Sequence, residues 1–92
     1  MKKALLTAAL LLPLAALAWD GTEPATGTKI SITSKRNKIK KGNTIEIFDY
    51  GKNEYHDVEI DRISSAGRDV RFEVYDKDTG EERVFIMESL SK

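Results

Sequence analysis

Three features of this chain predict an all-β domain closed as a small five-stranded SH3-like barrel. Apolar residues alternate with polar ones in five short runs, each bounded by Gly, Asn or Asp turn chemistry. One hairpin segment has an ungapped echo 27 residues later. No stretch beyond residue 19 shows convincing helical periodicity, apart from a short terminal turn conceivable at 87–90. Closing the meander removes the exposed strand edges that a domain of this size has little else to cover. An OB-like barrel is the alternative, although the chain is short for one and lacks its usual helix.

The first eighteen residues read as an address. Lys2 and Lys3 precede an apolar run over 4–17, interrupted only by Thr7 and Pro13. Ala16-Leu17-Ala18 then gives the small-x-small pattern of signal-peptide cleavage. As a helix this run would span roughly 20 Å, short of the ~30 Å hydrocarbon core, so a cleaved peptide is expected rather than a retained span. Cleavage before Trp19 implies a periplasmic or secreted protein that meets the membrane only through its leader. The chain has no cysteine, hence no disulfide and no lipid attachment after the leader.

Residues 19–28 read as an extended lead-in rich in Gly, Thr and Pro, and the barrel is placed at 29–92. Ile30 and Ile32 form the first alternating run, Ile45 and Ile47 the second, and Val58 and Ile60 the third. Val70, Phe72 and Val74 form the fourth, and Val84 and Ile86 the fifth. The echo fixes how the middle runs pair: "IEIFDYGKNE" at 45–54 aligns with "FEVYDKDTGE" at 72–81. Each copy reads apolar, Glu, apolar, aromatic, Asp, four turn residues, Glu, which is the pattern of two similar hairpins. The turns YGKN and KDTG each supply a glycine for a positive φ. Pairing Phe48 with Tyr55 sets Ile45, Ile47, His56, Val58 and Ile60 on one face, and Glu46, Phe48, Tyr55 and Asp57 on the other. In the second hairpin a bulge near Gly80 is expected. It would pair Phe72 with Val84, Val70 with Ile86 and Glu73 with Arg83, so that Val84 and Ile86 reach the core.

Charge and motifs narrow the function. Losing Lys2 and Lys3 leaves 13 basic against 15 acidic residues, a net charge of −2, which argues against a nucleic-acid binder. His56 is the only histidine, and a hydrogen-bonded structural role suits its inward position. No nucleophile elbow, zinc-binding helix or phosphate loop is present, so neither enzyme activity nor a cofactor is expected. "DKDTGEE" at 76–82 places Asp76, Asp78 and Glu81 or Glu82 in a turn. With His56 they make a calcium or zinc site the alternative reading.

Two surfaces are candidates for partner binding. The first is aromatic and acidic: Phe48, Tyr50, Tyr55 and Tyr75, with Asp57 and also Asp49 and Glu59 alongside. An aromatic pair across a hairpin also stabilises it, by about 0.5–1 kcal/mol. The second is the loop "KRNKIKK" at 35–41, where Lys35, Arg36, Lys38, Lys40 and Lys41 put five positive charges in seven residues. An envelope protein or a glycan is the expected partner, and a monomer the expected state. A self-associating structural role is a further alternative.

The chain resembles a family of small, uncharacterised exported proteobacterial proteins, a domain of unknown function. Trp19-Asp20-Gly21 after the leader, Asn37, Gly42, Asp49-Tyr50 and the 54–59 block "EYHDVE" carry the resemblance. Val74-Tyr75-Asp76 and Thr79-Gly80-Glu81 extend it through the second hairpin. It implies a periplasmic setting and transfers no catalytic residue. The 35–41 segment is more positive than is usual in such proteins.

Overall fold

The computed structural model describes residues 18–89. The segment at 1–18 expected to direct export lies outside the described residues except for Ala18, as do positions 90–92. Six antiparallel strands follow in sequence order around a closed barrel: β1 (Trp19–Glu23), β2 (Thr28–Ile32), β3 (Thr44–Asp49), β4 (Glu54–Ala66), β5 (Asp69–Asp76) and β6 (Glu81–Met87). The domain is thus all-β and broadly of the small SH3-like barrel class, with six strands rather than five. The additional strand is the expected lead-in, whose residues 19–23 pair with β2 and whose Gly21 and Thr22 also pair with β6. Closure runs through Gly21, opposite Met87. A Cβ there would stand 2.5 Å from the Ile86 carbonyl oxygen and 2.8 Å from the Met87 Cα, so the two backbones meet this closely only at a glycine.

The alternating residues Ile30, Ile32, Ile45, Ile47, Val58, Ile60, Phe72 and Val74 fill the interior with Phe85 and Met87. Trp19, half-buried, meets Phe72 edge-on with ring centroids 5.4 Å apart, and its indole N–H donates to the Glu88 carbonyl. It covers the end of the barrel opposite the hairpin turns at 24–27, 50–53 and 77–80.

The first hairpin has the predicted register, Phe48 facing Tyr55 and Ile47 facing His56. The second does not: there is no bulge near Gly80. Phe72 pairs with Phe85, Val70 with Met87 and Glu73 with Val84. Phe85 and Met87 take the core. Val84 and Ile86 stay half-buried outside, and Arg83 is carried inward. The irregularity lies in β4, between Ile60 and Arg62. At 87–90 the terminal turn does not form in the part described: Met87 ends β6, and Glu88 and Ser89 are irregular. Gly80 has the expected positive φ, but in the 50–53 turn the left-handed residue is Asn53 (φ 59°), not Gly51.

Candidate functional site

Three hairpin turns meet at one end of the barrel, and each begins after an acid that strand alternation points inward: Glu23, Asp49 and Asp76, all buried. Asp49 had been expected beside the outer aromatics, but it lies inside. Its Oδ1 accepts from the backbone N–H groups of Gly51 and Lys52 at 2.8 and 3.0 Å, closing its own turn. Asp76 Oδ1 does the same for Asp78 and Thr79 at 2.9 and 3.2 Å.

The remaining carboxylate oxygens converge on Arg83. Its Nε and Nη2 donate to the two oxygens of Glu23 at 3.0 and 2.8 Å. Nη2 also donates to Asp49 Oδ2 at 2.7 Å, and Nη1 to Asp76 Oδ2 at 2.8 Å. One guanidinium from β6 therefore ties three hairpins together. The hydrogen bond from Arg83 holds the Glu23 carboxyl below its usual range despite its burial. Burial works against the charges of Asp49 and Asp76, but donors outweigh it and both are also lowered. For Asp49 these are Arg83 and the turn amides; for Asp76, His56 and Arg83 lead. Arg83 itself is raised, first by its hydrogen bonds to Glu23.

His56 stands where Arg83 stands in the second repeat, and it faces inward as predicted. Its Nδ1 lies 2.7 Å from Asp76 Oδ2 and its Nε2 lies 2.9 Å from Glu54 Oε1. Burial disfavours the imidazolium, yet the bonds to Glu54 and Asp76 prevail and raise the pKa. Among the described residues no buried side-chain nitrogen or oxygen lacks a partner. The hub is closed on itself. His56, Asp76 and Asp78 do bring potential ligand atoms within 4.8 Å of one another. However, the Arg83 guanidinium already supplies a cation to Asp76, while Glu81 and Glu82 lie exposed on the strand that leaves the turn.

The outer wall beside this end carries the aromatic surface. Phe48 meets Tyr50 and Tyr55 edge-on, with both centroid distances 4.8 Å. Tyr50 and Tyr55 are about half exposed, at 47 % and 54 %. The Lys29 ammonium stands 4.9 Å from the Tyr50 ring centroid, and Ser31 Oγ joins the Tyr50 hydroxyl to Asp20 at 3.3 and 2.6 Å. Farther along the wall Glu46 directly faces Asp57, both exposed, and Glu59 follows opposite Thr44. Tyr75 is not part of this cluster. It sits across from Glu59, four residues along β4 from Tyr55.

The basic residues Lys35, Arg36, Lys38, Lys40 and Lys41 lie between β2 and β3 at the opposite end. The rings of Phe48, Tyr50 and Tyr55 are therefore apart from the loop, while Glu46 stands beside its start, its N–H donating to Ser34 Oγ at 2.8 Å and its carboxylate accepting from Thr33 Oγ1 at 3.0 Å. Glu23, Arg83, Lys29 and Ser31 escaped the sequence reading. The signal for Arg83 was the 27-residue offset of the repeat, which, carried two positions past 54 and 81, aligns that residue with inward-facing His56.

Residues 19–90 match a family of unknown function, DUF5334. No curated protein and no solved structure matches the chain.

Proposed function

The chain belongs to DUF5334, a family of unknown function, and from the leader pattern and the surface geometry together we propose that it is a non-enzymatic, periplasmic binding module. Its ligand surface is the wall of Phe48, Tyr50 and Tyr55 with the carboxylates of Glu46 and Asp57. The observation that carries this reading is the Glu46–Asp57 pair. Like charges directly opposite on neighbouring strands cost stability, and here they stand next to three clustered rings. That combination suits a cationic stretch of an envelope protein: carboxylates attract it, and ring faces accept its ammonium or guanidinium groups. Lys29 over Tyr50 already shows a cation in that place.

The test is an NMR titration of the chain from Trp19 onward with extended Lys- and Arg-containing peptides. Shifts should cluster at 46–57 and shrink at least tenfold in affinity for the Glu46→Gln/Asp57→Asn variant. Tyr55→Ala should weaken binding while leaving the fold intact. Shifts scattered over the barrel, or unchanged affinity in the charge variant, would overturn the reading. Equal response to a neutral oligosaccharide would replace the cationic peptide by a glycan.

A further inference from the structure

The aromatic wall leaves the basic loop unused, and that loop is a built feature of the fold. Arg36–Lys38 form a 3-10 turn, with the N–H groups of Lys38 and Ile39 donating to the carbonyls of Lys35 and Arg36, both at 3.0 Å. Asn43 Nδ2 donates to the Lys38 carbonyl at 2.9 Å, and the Gly42 N–H to the Ile60 carbonyl at 2.7 Å. Half-buried Ile39 packs against the core and pins the segment from below. The backbone is thus tied to the barrel, while Lys35, Arg36, Lys38, Lys40 and Lys41 are all exposed.

Among the described residues none of these five cations is in an ion pair, and the ion pairs engage only His56, Arg71 and Arg83 on the positive side. Five like charges over seven residues repel one another. Seven of the fifteen acids, Glu23, Asp49, Glu54, Asp76, Asp78, Glu81 and Glu82, gather at the hairpin end. Glu59 and Asp61 flank Ile60, which is hydrogen-bonded to Gly42 and Asn43 at the end of the loop. The five cations are still the densest run of one sign in the chain.

We infer that the 35–41 loop is a membrane-docking surface that binds anionic phospholipid headgroups. The segment has no aromatic ring on which a base or sugar would stack, and no acid that would select a registered protein partner. It presents dense charge with no shape-specific element, which suits a planar field of phosphates. Docking by this end turns the hairpin end outward and keeps the wall of Phe48, Tyr50 and Tyr55 off the bilayer. The inference is independent of the ligand reading of that wall.

Co-sedimentation with vesicles tests it, using the chain from Trp19 onward, which holds the whole closed barrel and leaves out the apolar leader. Partition onto vesicles containing phosphatidylglycerol should exceed that onto pure phosphatidylcholine at least tenfold at low salt. Each engaged cation contributes on the order of fivefold. The preference should collapse at about 0.5 M salt, where the Debye length falls to roughly 4 Å. A variant with all five cations replaced by Gln should keep its melting temperature within a few degrees and lose the preference. Lys38→Gln/Lys40→Gln alone should lower it about tenfold or more. Tyr55→Ala should bind vesicles as the parent does, which separates this surface from the wall. Equal partition onto both vesicle types, or full binding by the Gln variant, overturns the inference. Binding to a soluble polyanion with no anionic-vesicle preference does so too, in favour of a different class of partner.

Discussion

Replacing Arg83 by Met is the most informative perturbation of the hub, because it removes one charge and exposes the cost of three others. The guanidinium is 5 % exposed, and its partners Glu23, Asp49 and Asp76 are 10 %, 2 % and 0 % exposed in their side chains. Met fills much of the same volume but offers no donor. Removing one partner from a buried ion pair costs about 3–5 kcal/mol, chiefly from the charge left behind. A domain of this length is stable by only about 4–10 kcal/mol in all. Arg83→Met should therefore melt about 12–40 °C lower at pH 7, at 4–8 °C per kcal/mol. The pH dependence gives the sharper test. In the parent, all three carboxyls have lowered pKa values, so their stabilisation is present above the ordinary carboxyl pKa of about 4 and lost as pH falls through the folded values. Without Arg83 the same buried carboxyls prefer to be neutral, their folded pKa values rise, and acidification should restore stability. Urea unfolding followed by circular dichroism from pH 7 down to pH 3 would show the contrast, the variant gaining stability on acidification and the parent losing these carboxyls' contribution only below about pH 4. A Met variant within about 1 kcal/mol of the parent, or one losing stability in parallel with it on acidification, would refute this account of the hub.

His56 titrates in the other direction. Its raised pKa places its full contribution below about pH 6.5, to be lost as pH rises through the folded value. The melting temperature should fall by a few degrees toward pH 8–9 in the parent and remain flat over that range in His56→Gln; parallel curves would remove His56 from the network. Gly21→Ala should cost about 2–3 kcal/mol, since its Cβ meets the β6 backbone. Hydrogen exchange should quicken first along the β1–β6 seam, and exchange that quickens uniformly would show closure to be insensitive to that contact. Calcium at 5 mM should leave the melting temperature within a degree, because Arg83 and His56 already occupy Asp76; a rise that grows with calcium concentration would reveal a site there.

Where a strand buries one apolar face, its sequence announces it. Ile45, Ile47, Val58 and Ile60 follow strict alternation, and their register comes out as the pattern implies. β1 was illegible for the opposite reason. Its residues are Trp, Asp, Gly, Thr and Glu, so no apolar period exists, and what makes it a strand is the absence of a side chain at Gly21. Pairing that depends on close backbone approach has no hydropathy signature.

The second hairpin shows how two legible signals can conflict. Hydropathy favoured Val84 and Ile86 inside, which needed a bulge; the repeat favoured an ungapped match, which needed a buried arginine. The repeat prevailed because three carboxylates at the turn starts make the interior a better place for Arg83 than solvent. No pairwise rule of charged-outside, apolar-inside finds such an arrangement, since each of the four residues is costly to bury without the others. The outer wall was easier to read. Phe48 and Tyr55 face outward by alternation alone, whereas Tyr50 sits in a turn and joins them only through the turn's path, and Tyr75 follows the same alternation on a strand too far along the wall. Adjacency across strands thus followed from pattern, and adjacency through turns did not.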